Sequence, residues 1–124
     1  MRRLVDANVV LRYILNDSAE LSEKSRQIID QSIVEIPVEV LSEVVHVLSS
    51  VYDADRKDIG FELIGLFMKT PCVIQNRKAI LKGLEIYAEN NLDFVDCLLA
   101  GYRCVEGVVI DTFDKKLLKL LERL

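Results

Sequence analysis

Tryptophan is absent from this 124-residue chain, and histidine occurs once, as His46. Proline occurs twice and glycine five times, with no low-complexity run or internal repeat, so nothing marks a linker or a domain boundary. Three cysteines, Cys72, Cys97 and Cys104, form an odd set with no C-x-x-C pair. That excludes a disulfide framework, argues against zinc, and points to reduced thiols in a cytoplasmic protein. Cys97 and Cys104 lie seven apart in one apolar helical pattern and read as core residues. No apolar run reaches membrane-spanning length. The opening Met1 to Val5 is followed too soon by Asp6, Asn8 and Arg12 for a signal peptide. Aromatics are only 6% of the chain, and Tyr13, Tyr52, Phe94 and Tyr102 fall on apolar patterns, which leaves no base-stacking platform. Positive charge is also short: 16 Lys and Arg face 20 Asp and Glu, a net charge of −4. That balance counts against a nucleic-acid partner. Setting aside Asp6, Glu43, Asp96 and Asp114 brings the acids level with the 16 cations, and metal bound by such acids would itself attract phosphate.

What is present is an ordinary globular composition, 51% hydrophobic and 29% charged, enough for one domain over residues 1–124. Residues 2–5 read as a strand ending at Asp6, followed by a short helix from Val9 to Leu15. Ser18 can cap a second helix. Residues 33–36 read as a strand, and Pro37 opens a helix running to about Tyr52. Asp53 or Asp55 can cap the next helix, which carries Ile59, Leu63, Ile64, Phe67 and Met68 and ends at Pro71. Residues 72–75 read as a third strand. Amphipathic helices follow over Arg77 to Asn90 and from Asp93 through Val105. Residues 108–110 make a fourth strand, and Lys115 to Leu121 a last helix. This alternation predicts an α/β fold: a short parallel central sheet of about four to five strands, with helices on both faces. Ligands of such sheets bind beyond the carboxyl ends of the strands. Asp6 lies just past the first strand, and Asp111, Thr112 and Asp114 lie just past the fourth.

Each acid has two readings. Asp6 can cap the first helix or serve as a ligand. Glu43 shares a polar stripe with Glu39, His46 and Ser50, which is also what a solvated helix face looks like. Asp93 and Asp96 can be a helix cap and a first-turn acid that favours the helix dipole. Asp114 or Thr112 can cap the final helix. Lys115 and Lys116 follow directly and read either as phosphate contacts or as solubilising surface charge.

In combination these segments resemble a known family. Leu4-Val5-Asp6-Ala7-Asn8-Val9, Pro37-Val38-Glu39-Val40-Leu41-Ser42-Glu43, Leu92-Asp93-Phe94-Val95-Asp96-Cys97 and Thr112-Phe113-Asp114-Lys115-Lys116 together resemble the PIN domain, in order and over nearly the whole chain. The likeness is greatest to stand-alone toxin ribonucleases of VapC type. The resemblance implies a PIN-like fold in which Asp6, Glu43, Asp96 and Asp114 form the catalytic metal site, supported by Asn8 and Thr112. Ala7 departs from the Thr or Ser that often follows the first Asp, which removes one hydroxyl near Asp6. The resemblance further implies an antitoxin partner and a homodimer. Oxygen ligands of this kind select Mg²⁺ or Mn²⁺. The expected chemistry is in-line attack by metal-bound water on an RNA phosphodiester, with Arg12, Lys115 and Lys116 as the RNA contacts nearest in sequence. Two rivals stand beside it. A strand-end-Asp phosphatase of haloacid-dehalogenase type would have Asp-x-Asp where this chain has Asp6-Ala7-Asn8. A catalytically silent interaction module would use the same acids only as caps and exposed faces.

Overall fold

The computed structural model describes residues 2–124. Seven α-helices follow one another: α1 (Ala7–Leu15), α2 (Ala19–Gln31), α3 (Val38–Ser50), α4 (Arg56–Lys69), α5 (Arg77–Glu89), α6 (Phe94–Glu106) and α7 (Lys115–Arg123). Each of the helices read from the sequence is present, within a few residues at its ends. The local causes are visible. Asp6 caps α1 by accepting from the Val9 N–H at 3.1 Å, and Ser18 caps α2 by accepting from Leu21. Asn16 and Gly107 close α1 and α6 in the left-handed conformation, at φ 50° and 68°.

The sheet is where the expectation fails. The chain is all-helical, and no parallel central sheet forms among the described residues. Three of the four expected strands run side by side, yet they register only as isolated parallel bridges, Leu4 to Glu35 and Glu35 to Val73. The hydrogen bonds that tie them are few: Glu35 N to Arg3 O at 2.8 Å, Val73 N to Val34 O at 2.8 Å, Ile36 N to Val73 O at 2.9 Å, and a longer Val5 N to Glu35 O at 3.4 Å. The reason is length. Asp6 begins a helix cap, Pro37 offers no N–H, and Asn76 turns left-handed at φ 56°, so each segment stops before a ladder can extend. The alternation is nonetheless real. Val5, Val34, Ile36, Cys72 and Ile74 point into the core, while Leu4, Ile33 and Val73 face solvent. Helices therefore do not cover both faces. The fourth segment, residues 108–110, pairs with nothing among the described residues: Val109 is 76% exposed, and only Ile110 leans on the core.

Buried side chains from all seven helices join one apolar cluster. Its tightest joint is the crossing of α5 and α6. A Cβ on Gly101 would collide with the Ala79 carbonyl oxygen and stand 2.8 Å from the Gly83 nitrogen. A Cβ on Gly83 would stand 3.0 Å from Leu98 Cδ2. Two glycines facing one another let the helix backbones touch. Arg56 then fixes the start of α6. Its Nε donates to the Tyr87 carbonyl at 3.0 Å, its Nη2 donates to the Leu92 carbonyl, and its guanidinium lies 3.8 Å over the Tyr87 ring. Tyr87 meets Phe94 edge-on at 5.6 Å. All three cysteines are free, and Cys72 and Cys97 are buried. Cys104, expected in the core, is exposed: it falls in the last turn of α6, beyond the part that packs on α5. Among the expected core aromatics Phe94 is buried and Tyr13 and Tyr102 are half-buried, but Tyr52 is exposed. No helix among the described residues is long and apolar enough to cross a membrane.

Candidate functional site

Asp96 occupies the first turn of α6, in the place that Arg56, Tyr87 and Phe94 hold fixed. Burial pushes its carboxyl above the ordinary carboxylate range, and the negative charges of Asp114 and Asp93 push it further. Asp96 thus feels the charge of Asp93 at its own helix start and of Asp114 at the start of α7. Asp93 holds the N-cap position of α6 but makes no side-chain capping bond, contrary to the role its sequence position suggests. Asp114 caps α7 through Oδ1, which accepts from the Leu117 N–H at 2.9 Å and leaves Oδ2 uncommitted. Thr112 supports it directly, since its Oγ1 accepts the Asp114 N–H at 3.0 Å.

Asp6 and Glu43 stand on other elements. Asp6 is exposed at the start of α1, where its Oδ1 serves the helix cap. Glu43 is exposed on α3, along with Glu39, His46 and Ser50, so the polar stripe read from the sequence is a solvent-facing one. Helix α3 packs on both α1 and α6 and links the two halves of the proposed quartet. Asn8 is exposed beside Asp6. Arg12 turns inward to other work: its Nη1 donates to both Asp17 oxygens at 2.8 Å, and its Nη2 donates to the Tyr52 hydroxyl at 3.2 Å. Lys115 and Lys116 are exposed at the start of α7, immediately after Asp114.

The ion pairs sharpen the picture. Among the described residues, salt bridges engage Glu35, Asp17, Glu20, Glu23 and Glu85, and none engages Asp6, Glu43, Asp93, Asp96 or Asp114. Among the described residues, the acids at the starts of α6 and α7 therefore have no salt-bridge partner. In donor type and in charge, Asp96 and Asp114 fit a hard divalent cation. A complete ligand set is not assembled: among the described residues, no three His, Cys, Asp or Glu side chains stand close enough to hold one ion.

Asp96 also borders a cleft of about 360 Å³ whose wall includes Ser42, His46 and Ser49 of α3, Arg56 and Asp93. Sequence reasoning set His46 aside and did not single out Ser42, Ser49 or Arg56. A signal for the first three existed, because positions 42, 46 and 49 recur at helical spacing beside Glu43. Arg56 had no such signal, since its partners are backbone carbonyls 31 and 36 positions away.

Comparison with protein-family models matches residues 3–122 to the PIN domain. No curated protein and no solved structure matches the chain.

Proposed function

The chain belongs to the PIN-domain family, a family of nucleases, and from that premise we propose that it is a metal-dependent endoribonuclease acting as the toxin of a type II toxin–antitoxin pair. One observation carries the reading: half-buried Asp96 holds a charge that burial and the neighbouring Asp114 and Asp93 disfavour, and among the described residues no salt bridge offsets it. A carboxylate whose charge is disfavoured by burial and by neighbouring acids costs stability, and such groups cluster where a cation or substrate uses them.

Asp96 and Asp114 would hold Mg²⁺ or Mn²⁺, with Asp6 and Glu43 as the other acids of the set. A divalent ion there supplies charge neutralisation at the phosphate and activation of water. The chain's own residues do the rest. Thr112 fixes the backbone of Asp114, and the α7 cap leaves that carboxylate one free oxygen. Asn8 stands beside Asp6 as polar support. The attacking water gives up a proton as it reacts, and the leaving 3′ oxygen takes one up. The water oxygen bonds to phosphorus, the bond from phosphorus to the 3′ oxygen breaks, and the products carry 5′-phosphate and 3′-hydroxyl ends. Lys115 and Lys116 lie where they can meet the substrate's negative charge.

A single domain over residues 1–124, a cytoplasmic setting, a homodimer and an antitoxin complete the proposal. Phe61 and Met68 on α4, 72% and 65% exposed, offer apolar surface for a protein contact, whereas Ile59, Leu63 and Phe67 of the same helix are buried. The test is expression of the wild type against Asp6→Asn, with sequencing of cellular RNA ends. Cleavage with 5′-phosphate ends in the wild type alone is the expected result. Equal RNA profiles and equal growth would overturn the reading, as would 2′,3′-cyclic phosphate ends.

A further inference from the structure

Helix α7 buries Leu117 and Leu120 and turns Lys116, Lys119 and Arg123 outward at spacings of three and four, so these cations form one row. Together with Asn91 and Glu122 they line a shallow groove of about 500 Å³. None of the three is in a salt bridge among the described residues, although the chain has an excess of acids. The groove also has a definite place. Lys116 follows Asp114 by two residues, and Asn91 precedes Asp93 by two, so both walls begin beside the acids of the candidate site.

We propose that this groove is a phosphate track that holds single-stranded RNA on one side of the cleavage point; the proposal rests on the ribonuclease reading above. From Lys116 to Arg123 the helix advances about 10 Å. Nucleic-acid charges recur at about 3.4 Å per strand in a duplex and farther apart in an extended single strand, so the row meets two or three phosphates. Asn91 adds a neutral donor at the groove wall. Glu122 is the one unfavourable neighbour and limits how tightly the track grips. The acids and the cations divide the labour: the scissile phosphate goes to the negative end, which needs metal, and the flanking phosphates go to the row, which does not. The RNA should therefore bind when metal is absent.

Fluorescence anisotropy of an unstructured RNA oligonucleotide, with the full chain in EDTA, tests this without any turnover. Lys116→Ala/Lys119→Ala/Arg123→Ala should weaken binding about tenfold or more and lower the log–log salt slope by about 2, at about 0.7 per lost phosphate contact. Lys57→Ala/Lys69→Ala/Lys78→Ala, which removes the same charge from α4 and α5, should leave the slope unchanged; circular dichroism checks that both variants fold. Glu122→Gln should tighten binding. Equal slopes for both triple variants and the wild type would overturn the track. So would displacement of the RNA by polyglutamate at equal charge concentration, which would mark the groove as a site for an acidic protein segment. Cleavage that depends on Asp6 but ignores the α7 variants would sink the track alone. A wild type that binds no RNA in EDTA would overturn the track, and one that neither binds nor cleaves RNA with Mg²⁺ or Mn²⁺ present would sink the ribonuclease reading as well.

Discussion

Asp96 is the residue whose surroundings say most. Its carboxyl is pushed up by burial first, then by Asp114, then by Asp93. In the unfolded chain the same group ionises in the ordinary range, near 3.8. Folding therefore favours its protonated form. The penalty is absent below that range, sets in as pH rises through it, and is fully present at neutral pH. Asp96→Asn should raise the melting temperature of the metal-free protein at pH 7, and the gain should shrink as pH falls toward 3. Thermal melts in EDTA across that range check it, and a variant less stable than wild type at pH 7 would contradict it. A purely structural first-turn acid would give that opposite result, because its charge would favour the helix dipole.

Among the elements, the α5–α6 crossing sets the position of the site. Gly83 and Gly101 allow backbone contact between the helices, and Arg56 and Tyr87 then hold the start of α6. Gly101→Ala gains helix propensity but drives a methyl group into the Ala79 carbonyl and the backbone of Gly83. Neither is the flexible end of a side chain, so the helices must separate. Overpacking of this kind costs about 1–3 kcal/mol, and contact with main chain favours the upper end. Urea titration should show a lower midpoint with little change in slope. Gly65→Ala serves as the contrast: its Cβ would meet only the end of Lys69, at 4.0 Å, so it should be neutral or slightly stabilising.

For the molecule as a whole, the proposed metal gives the most direct test. An ion that binds only the folded chain raises stability by RT ln(1 + [L]/Kd), about 2.7 kcal/mol at one hundred times Kd. Mg²⁺ or Mn²⁺ should raise the melting temperature of the wild type, with reversal by EDTA. The effect should vanish in Asp96→Asn/Asp114→Asn. Ca²⁺ and Na⁺ at matched ionic strength separate specific binding from screening. A shift of equal size in the double variant would refute these acids as ligands.

The sequence by itself determined the helices. Their signals are local: Asp6 and Ser18 as caps, Gly107 as a stop, and apolar stripes at helical spacing along α3 and α5. A helix closes its hydrogen bonds four residues away, so a short window of sequence contains its cause. The same window marked residues 2–5, 33–36 and 72–75 as extended apolar segments, but not which of their side chains the core takes up. It could not show how far those segments would pair. Pairing joins residues more than thirty positions apart, and its extent depends on where Asp6, Pro37 and Asn76 interrupt each segment in space. Hence a sheet was expected where only bridges form. The site divides in the same way. The PIN-domain resemblance implied Asp6, Glu43, Asp96 and Asp114 as a set. Only the tertiary structure decided that Asp96 and Asp114 feel one another, that Asp93 is free of its cap, and that Arg12 is tied to Asp17 and Tyr52. Charge acts through space at distances the chain order does not encode, and the packing of α6 against α7 sets the one between Asp96 and Asp114.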